Sequence, residues 1–575
     1  MRKNHSCKNV ILLSVSSGIL AATAFDPCSF TSLIWIALVP WLYTLTQQTW
    51  KQMFLSHLLF HTSFFSIGIF WTTRVHPICL FGILLALYIM CLPFPLLFFW
   101  ISKKKQIPLF ILAPVLWCSN EYLRAFLFSG FPYLFLGHSQ AFNPQLIQIA
   151  DITGVYGVSF LIMACNALVL SWINYWIDTK KKKPVPQVIY SVITIGLLIL
   201  FLVYGHIKLK KYSSYKRGPK IASIQGNIPQ DIKDNQKLKL KHILNSYTEL
   251  TVKALKQKPK LLIWPETMSP DDPLLDPHMS TMFKDIATRT HTYLLIGSHH
   301  LECDFKEKKY KTYNSAYFIN TEGKIVNRYD KRKLVIIGEY LPLRSVLPFL
   351  PTIIKNIAGF VPDLAEGKKQ TVFEMGKDKF GCLICYDIAY PQEVGVLKEK
   401  GCDFVINMTN EGWFFDTSEL EQLLKISIFR AVEHRIGILR SANTGITANI
   451  PPNGVVEDDD ILTMPIDEYP DLLKPYMKEK VINQSAFAWH NLPEAIWSDD
   501  IDFFTTKDKN WDIMLGKQKL KWKDFAGVFC KEVPLGSKTI TFYTKFGDLF
   551  VIILSGLSLL FCIISFKTKN ISETA

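Results

Sequence analysis

The sequence predicts a two-part protein: an α-helical membrane bundle of about eight transmembrane helices, joined to an α/β layered domain. Three observations carry that expectation. Of the 575 residues, 49% are hydrophobic and 20% charged, too apolar for an ordinary soluble chain and too charged for one wholly embedded in lipid. Apolar stretches near the ~20 residues of a membrane-crossing helix fill the first third, and another lies near the end. Between them, short β-rich runs alternate with amphipathic stretches, the pattern of layered strands and helices.

Taken in order, the apolar stretches are 10–25, 30–46, 54–71, 78–101, 107–128, 155–177 and 188–207, with the last at 549–566. The first is short, follows Arg2 and Lys3 and ends Ala-Ala-Thr-Ala, so a cleaved signal peptide is the other reading of it. Basic residues set the sidedness. Arg2, Lys3 and Lys8, then Lys51, Lys103 to Lys105, Lys180 to Lys183, and Lys567 with Lys569 all fall on one face if eight helices cross. The block between the seventh and eighth then lies outside the cytoplasm, although its own start, 208–217, is basic. The net charge of +15 would suit nucleic acid, but the juxtamembrane clustering of its lysines points to anionic lipid, and no nucleic-acid partner is expected.

In the soluble block the expected strands are 221–225, 261–264, 293–297, 315–320, 382–385, 404–407 and 438–441. Helix-like stretches cover 236–256 and 420–435. From 457 to 537 the pattern becomes charged and aromatic without strand repetition, and is read as an insertion of unknown role. The domain division follows: 1–207 transmembrane, 218–456 catalytic, 457–537 inserted, 546–567 a final transmembrane helix.

Three segments carry candidate chemistry. Leu-Ile-Trp-Pro-Glu ends at Glu266, where Pro265 stops a strand and aims the carboxylate outward. Tyr-Asp-Lys ends at Lys331, and Cys385 follows an apolar run. A thiol at a strand end is a nucleophile if a neighbour takes its proton, and Glu266 is the candidate base. Lys331 would stabilise the oxyanion of a tetrahedral intermediate and hold the thiolate charged. Each residue alone has a structural reading: a buried cysteine, a helix-start glutamate, a solvated lysine. The spacing of Cys382 and Cys385 permits a redox or metal role, but supplies only half a zinc site, and residues three apart on a strand face opposite sides. No metal or nucleotide signature is present, and no cofactor is expected.

Taken together, Trp264-Pro265-Glu266, Tyr329-Asp330-Lys331, Gly338-Glu339 and Cys385-Tyr386-Asp387 resemble the nitrilase (carbon–nitrogen hydrolase) superfamily, whose members use a Glu-Lys-Cys triad. The segments 225–230, 334–343, Trp413-Phe414 and 440–447, with 113–117 and 129–132 in the membrane part, bring the resemblance closest to its membrane branch, the apolipoprotein N-acyltransferase family. The resemblance covers about 1–455 and the final helix. It implies a nitrilase-like four-layer α-β-β-α sandwich on the periplasmic side of a bacterial inner membrane, in a multi-pass monomer. It further implies a ping-pong reaction. Cys385 takes an acyl chain from a membrane phospholipid as a thioester, and the α-amino group of a lipid-modified (diacylglyceryl) N-terminal cysteine on an apolipoprotein then receives it. Glu266 is then the base, Lys331 the oxyanion stabiliser, Glu339 a second supporting acid and Tyr386 part of the pocket.

Asp387 stands where the family usually has Glu, and Asp234 where it often has Trp; the 457–537 segment is also larger than expected. Trp413 and Phe414 read either as an aromatic lid that dips into lipid or as core residues after a strand. Arg430, Glu433 and Arg440 could bind headgroups, though helical spacing favours an ion pair between the first two. Two other functions fit parts of the pattern: a membrane-anchored nitrilase-type amidase, and a transporter or lipid-binding module with a decayed catalytic domain.

Overall fold

A computed structural model of the chain describes residues 7–47, 49–104, 107–127, 130–177, 183–228, 236–304, 309–336, 338–341, 349, 351–352, 355, 363–414, 417–457, 460–462 and 526–572. The chain divides into two compact units. The first comprises Met1–Ser214, Thr417–Arg435 and Thr539–Ala575, the second Tyr215–Asp416 and Ile436–Lys538.

The first unit is helical throughout its apolar stretches. Four helical segments are long and apolar enough to cross a membrane: Pro77–Lys104, Val155–Ile177, Val185–Lys211 and Leu549–Phe566. Cys7–Ala22 and Thr31–Thr46 are shorter. Trp50–Gly68 and Leu109–Phe126 are diluted by polar residues, His57 and His61 in one, Asn120, Glu121 and Arg124 in the other. Four of the roughly eight expected crossings thus meet the length and apolarity of a membrane span among the described residues. Val185–Lys211 leaves Val188, Val192, Ile195 and Ile199 exposed along its length, a surface suited to lipid and not to water.

Helix Cys7–Ala22 packs closely on Trp50–Gly68. The Ser14 and Ser56 hydroxyls lie 2.8 Å apart, and a Cβ at Gly18 would stand 2.0 Å from Ser63 Oγ, so only glycine permits that approach. Polar groups inside this unit are mostly consumed locally. Asn166 accepts from Leu38 N and donates to the Ile34 carbonyl, and one Glu121 oxygen accepts from Trp117 Nε1 and Leu136 N, both at 2.8 Å.

Helix Glu419–His434 belongs to this unit although the sequence places it between two strands of the other. All its residues are buried, charged ones included. Lys425 pairs with Asp26 at 2.6 Å, Arg430 with Glu433 at 2.9 Å, Trp71 Nε1 donates to Gln422, and the Tyr133 hydroxyl donates to Glu419. The ion pair expected between Arg430 and Glu433 is present.

The second unit holds two sheets. The first has six strands in the order β11-β1-β2-β3-β4-β5: β1 Arg217–Gln225, β2 Leu261–Trp264, β3 Tyr293–Asp304, β4 Lys309–Ile319, β5 Ile325–Asp330 and β11 Gly527–Pro534. The second has five, in the order β10-β9-β8-β7-β6: β6 Val372–Met375, β7 Asp378–Ile384, β8 Phe404–Thr409, β9 Gly437–Ala442 and β10 Ala448–Ile450. β1, β2 and β3 are parallel, as are β7, β8 and β9, and each of these strands is largely or wholly apolar where it pairs, as strands covered on both faces must be.

The sheets face each other: Phe318 of β4 packs on Phe373 and Phe380, and the Ser223 and Ser441 hydroxyls meet at 2.6 Å. Helices Gln236–Lys256 and Pro277–Thr290 cover the outer face of the first sheet, sealing a core that includes Ile224, Tyr247, Leu262, Trp264 and Phe283. Helix Pro391–Glu399 packs on β7 and β8. The layers are therefore α-β-β-α.

One expectation needs correction. The segment 457–537 is not wholly an insertion, because Gly527–Pro534 is a strand, antiparallel to β1 in register from Lys220↔Glu532 to Gln225↔Gly527. It covers an edge of β1 that would otherwise present unpaired backbone. Residues 463–525, and Asp234, lie outside the described residues.

Candidate active site

Glu266, Lys331 and Cys385 each follow the carboxyl end of a strand, β2, β5 and β7. Pro265 ends β2, and the next residues turn sharply, with Thr267 at φ +55°. Gly297 of β3 makes room for that turn: a Cβ there would lie 2.1 Å from the Pro265 carbonyl oxygen. Lys331 extends the β4–β5 pairing by one bond, its N–H reaching the Asn314 carbonyl at 2.8 Å. Cys385 begins the turn after β7 with φ +48°, a left-handed conformation that costs a non-glycine residue energy and is common where a side chain is presented for chemistry. Its neighbours on both sides are buried while Cys385 is only half-buried.

Lys331 is 1% exposed and Glu266 6%. The Lys331 ammonium lies 2.8 Å from Glu339 Oε1 and 3.4 Å from Glu266 Oε1. Burial would lower the lysine's pKa, but the charges of Glu339, Glu266, Cys385 and Asp387 outweigh it and hold the pKa well above its usual value. The lysine is a permanent cation beside the thiol. The second oxygens of the acids are fixed by backbone, Glu266 Oε2 by Asn410 N at 2.7 Å and Glu339 Oε2 by Val335 N at 2.9 Å.

Asp387 joins the lysine loop to the cysteine turn. Its carboxylate accepts from Tyr329 OH (2.8 Å), Ile384 N (2.9 Å), Lys333 N (2.7 Å) and Arg332 N (3.2 Å). Burial pushes its pKa up to about 7 against the opposing pull of Lys331 and the backbone donors. Tyr386 is buried edge-on against Tyr390, their ring centres 5.3 Å apart.

Trp413 is 36% exposed in the turn that follows β8 and Phe414 is half-buried, so Trp413 is not a core residue. Arg440 differs from the headgroup reading: it is fully buried on β9, with its guanidinium on Glu411, Asn407 and the Ile446 carbonyl. Cys382 and Cys385 form no disulfide, and Cys382 faces Met408 in the core. Among the described residues no cluster of His, Cys, Asp or Glu is disposed to hold a metal ion.

Sequence reasoning gave the asparagines no role, although Asn227 and Asn443 lie in the segments 225–230 and 440–447 that carry the resemblance. Asn314 of β4 donates to Glu266 Oε1 at 2.7 Å and to Glu339 Oε1 at 3.3 Å. Asn443 ties the Asn227–Ile228 turn to Asn410, whose backbone holds Glu266. The available signal was a polar residue, Asn314, inside a strand whose neighbours Ala316 to Phe318 are apolar or aromatic.

Two family models match the chain: the apolipoprotein N-acyltransferase N-terminal domain over residues 17–168, and carbon-nitrogen hydrolase over 220–464. The apolipoprotein N-acyltransferase of Geobacter metallireducens is 33% identical over 456 residues, covering 77% of this chain and 85% of its own. That of Pasteurella multocida is 26% identical over 465 residues, covering 77% and 86%.

Proposed function

The chain belongs to the apolipoprotein N-acyltransferase family, and on that premise we propose that it transfers an acyl chain from a membrane phospholipid, through a thioester on Cys385, to the α-amino group of a diacylglyceryl-modified N-terminal cysteine. The carrying observation is the convergence of one ammonium and two carboxylates beside a half-buried thiol in a left-handed turn.

In the first half-reaction the Cys385 sulfur attacks the ester carbonyl of the lipid and its proton passes to Glu266. Lys331, charged at every working pH, stabilises the oxyanion. The carbon–oxygen bond breaks, the leaving alkoxide takes the proton from Glu266, and lysophospholipid departs. In the second half-reaction the amine attacks the thioester and gives a proton to Glu266. The carbon–sulfur bond breaks, and the thiolate is reprotonated. An amine competes with water for the thioester only if the site limits water, which the burial of Lys331 and Glu266 supports. Glu339 holds Lys331 in place, Tyr386 lines the pocket, and Trp413 with Phe414 contacts lipid. No cofactor is needed.

In this reading the protein is a monomer of the bacterial inner membrane. Residues 1–207 and 546–567 supply about eight crossings, and the catalytic domain, 218–456 completed by the strand Gly527–Pro534, lies on the periplasmic side. The test is Cys385→Ala in cells with no second copy of the enzyme. Lipoproteins should then accumulate with an unmodified α-amino group. Intact N-acylation would sink the proposal, and labelled lipid that yields free fatty acid with no amide product would point to a hydrolase.

A further inference from the structure

We propose that Asn314 is a positioning residue that aims Glu266 as the base, by placing one amide donor on the facing oxygens of two carboxyl groups. The inference takes from the acyl-transfer reading only the identity of base and nucleophile.

The lysine does not hold Glu266 by itself. Its ammonium lies closer to Glu339, at 2.8 Å, than to Glu266, at 3.4 Å. The short bonds to Glu266 come instead from Asn314 Nδ2 and Asn410 N, each at 2.7 Å. Both carboxylates direct Oε1 at the same lysine, and Asn314 Nδ2 reaches both of those oxygens.

The amide is also held in one orientation. Asn314 is 2% exposed and its Oδ1 is buried without a hydrogen-bond partner. Flipping the amide would turn Oδ1 onto two carboxylate oxygens, so the orientation with the donor inward is the one the acids enforce.

The groups around Glu266 are Lys331 and Glu339 after β5, Glu411 after β8, Cys382 on β7 and the nucleophile Cys385. Removing the Asn314 donor leaves Glu266 Oε1 the 3.4 Å contact to Lys331, an ammonium that lies closer to Glu339, and so loosens the aim of the base.

The test measures the rate of Cys385 alkylation by iodoacetamide in the full-length protein, read as the modified Cys385 peptide by mass spectrometry. In Asn314→Ala alkylation should slow roughly tenfold. Asn314→Ser, which keeps a smaller donor, should recover part of that rate, and serves if the alanine variant does not fold. A rate unchanged in both variants, or lowered equally in both, would overturn the proposal. Thioester formation from phospholipid is measured in parallel on the wild type. If the rate falls with Asn314 but wild type forms no thioester, the positioning role stands and the lipid-donor reading fails.

Discussion

Replacing Asp387 with alanine should both destabilise the catalytic unit and stop thioester formation, because this carboxylate links the cysteine turn to the lysine loop. Asp387→Ala strands four donors: Tyr329 OH and the N–H groups of Ile384, Arg332 and Lys333. Burial works against the charge and pushes the carboxyl from 3.8 up to about 7, a rise already net of the pull of Lys331 and of the Ile384 and Lys333 donors. At about 1 kcal/mol for each donor left unmet, the low end because Arg332 N and Lys333 N are only part-buried, the loss is about 4 kcal/mol. For a unit of this size it lowers the melting temperature by about 8–16 °C. Asp387→Glu, longer by one methylene in a closed site, should cost only about 1–3 kcal/mol. Thermal unfolding of the detergent-solubilised protein gives the first quantity, and the acyl adduct on Cys385 after incubation with phospholipid gives the second. A melting temperature within about 2 °C of wild type in Asp387→Ala, with full acylation, would refute the linking role.

Three further outcomes follow from the same geometry. Lys331 is held charged above its usual range by Glu339 and Glu266, so the pH–rate profile of thioester formation should show no loss from lysine deprotonation below its ordinary pKa of 10.5; Lys331→Met should abolish acylation at every pH. Glu411 and Arg440 are both fully buried and paired, so Glu411→Gln should cost about 3–5 kcal/mol by leaving the guanidinium uncompensated, measured as a fall in unfolding temperature. Gly297→Ala should force the Pro265 turn aside, destabilising by about 1–3 kcal/mol and slowing thioester formation more than it lowers stability, since Glu266 follows that turn.

What the sequence disclosed depended on how local the determinant was. Leu261–Trp264 is an apolar run stopped by a proline, and its expected and observed bounds agree. The helix Gln236–Lys256 agrees likewise, because its apolar stripe covers the neighbouring sheet. β11 was missed because its partner β1 lies some three hundred residues earlier in the chain and its own sequence, Gly-Val-Phe-Cys-Lys-Glu-Val-Pro, sits at the end of a charged stretch. Helix Glu419–His434 reads as amphipathic, yet its polar face is buried too, since Asp26, Trp71 and Tyr133 receive its charged and polar groups. No periodicity announces such partners. The placement of Glu266, Lys331 and Cys385 after strand ends was legible from the apolar runs that precede them and from motif context. The donors that orient them were not: Asn314 and the Asn410 backbone gain their meaning only once β4 and the end of β8 are brought beside β2.

The acyl-carrier role of Cys385 turns on the chemical state of one sulfur atom. The intact mass of the purified, detergent-solubilised protein after incubation with phospholipid should rise by one fatty-acyl group, and hydroxylamine should remove that increment. Cys385→Ser treated identically should show no hydroxylamine-labile adduct. An unchanged mass in the wild-type protein, with an active family member acylated alongside it, would contradict the assignment of Cys385 as the acyl carrier.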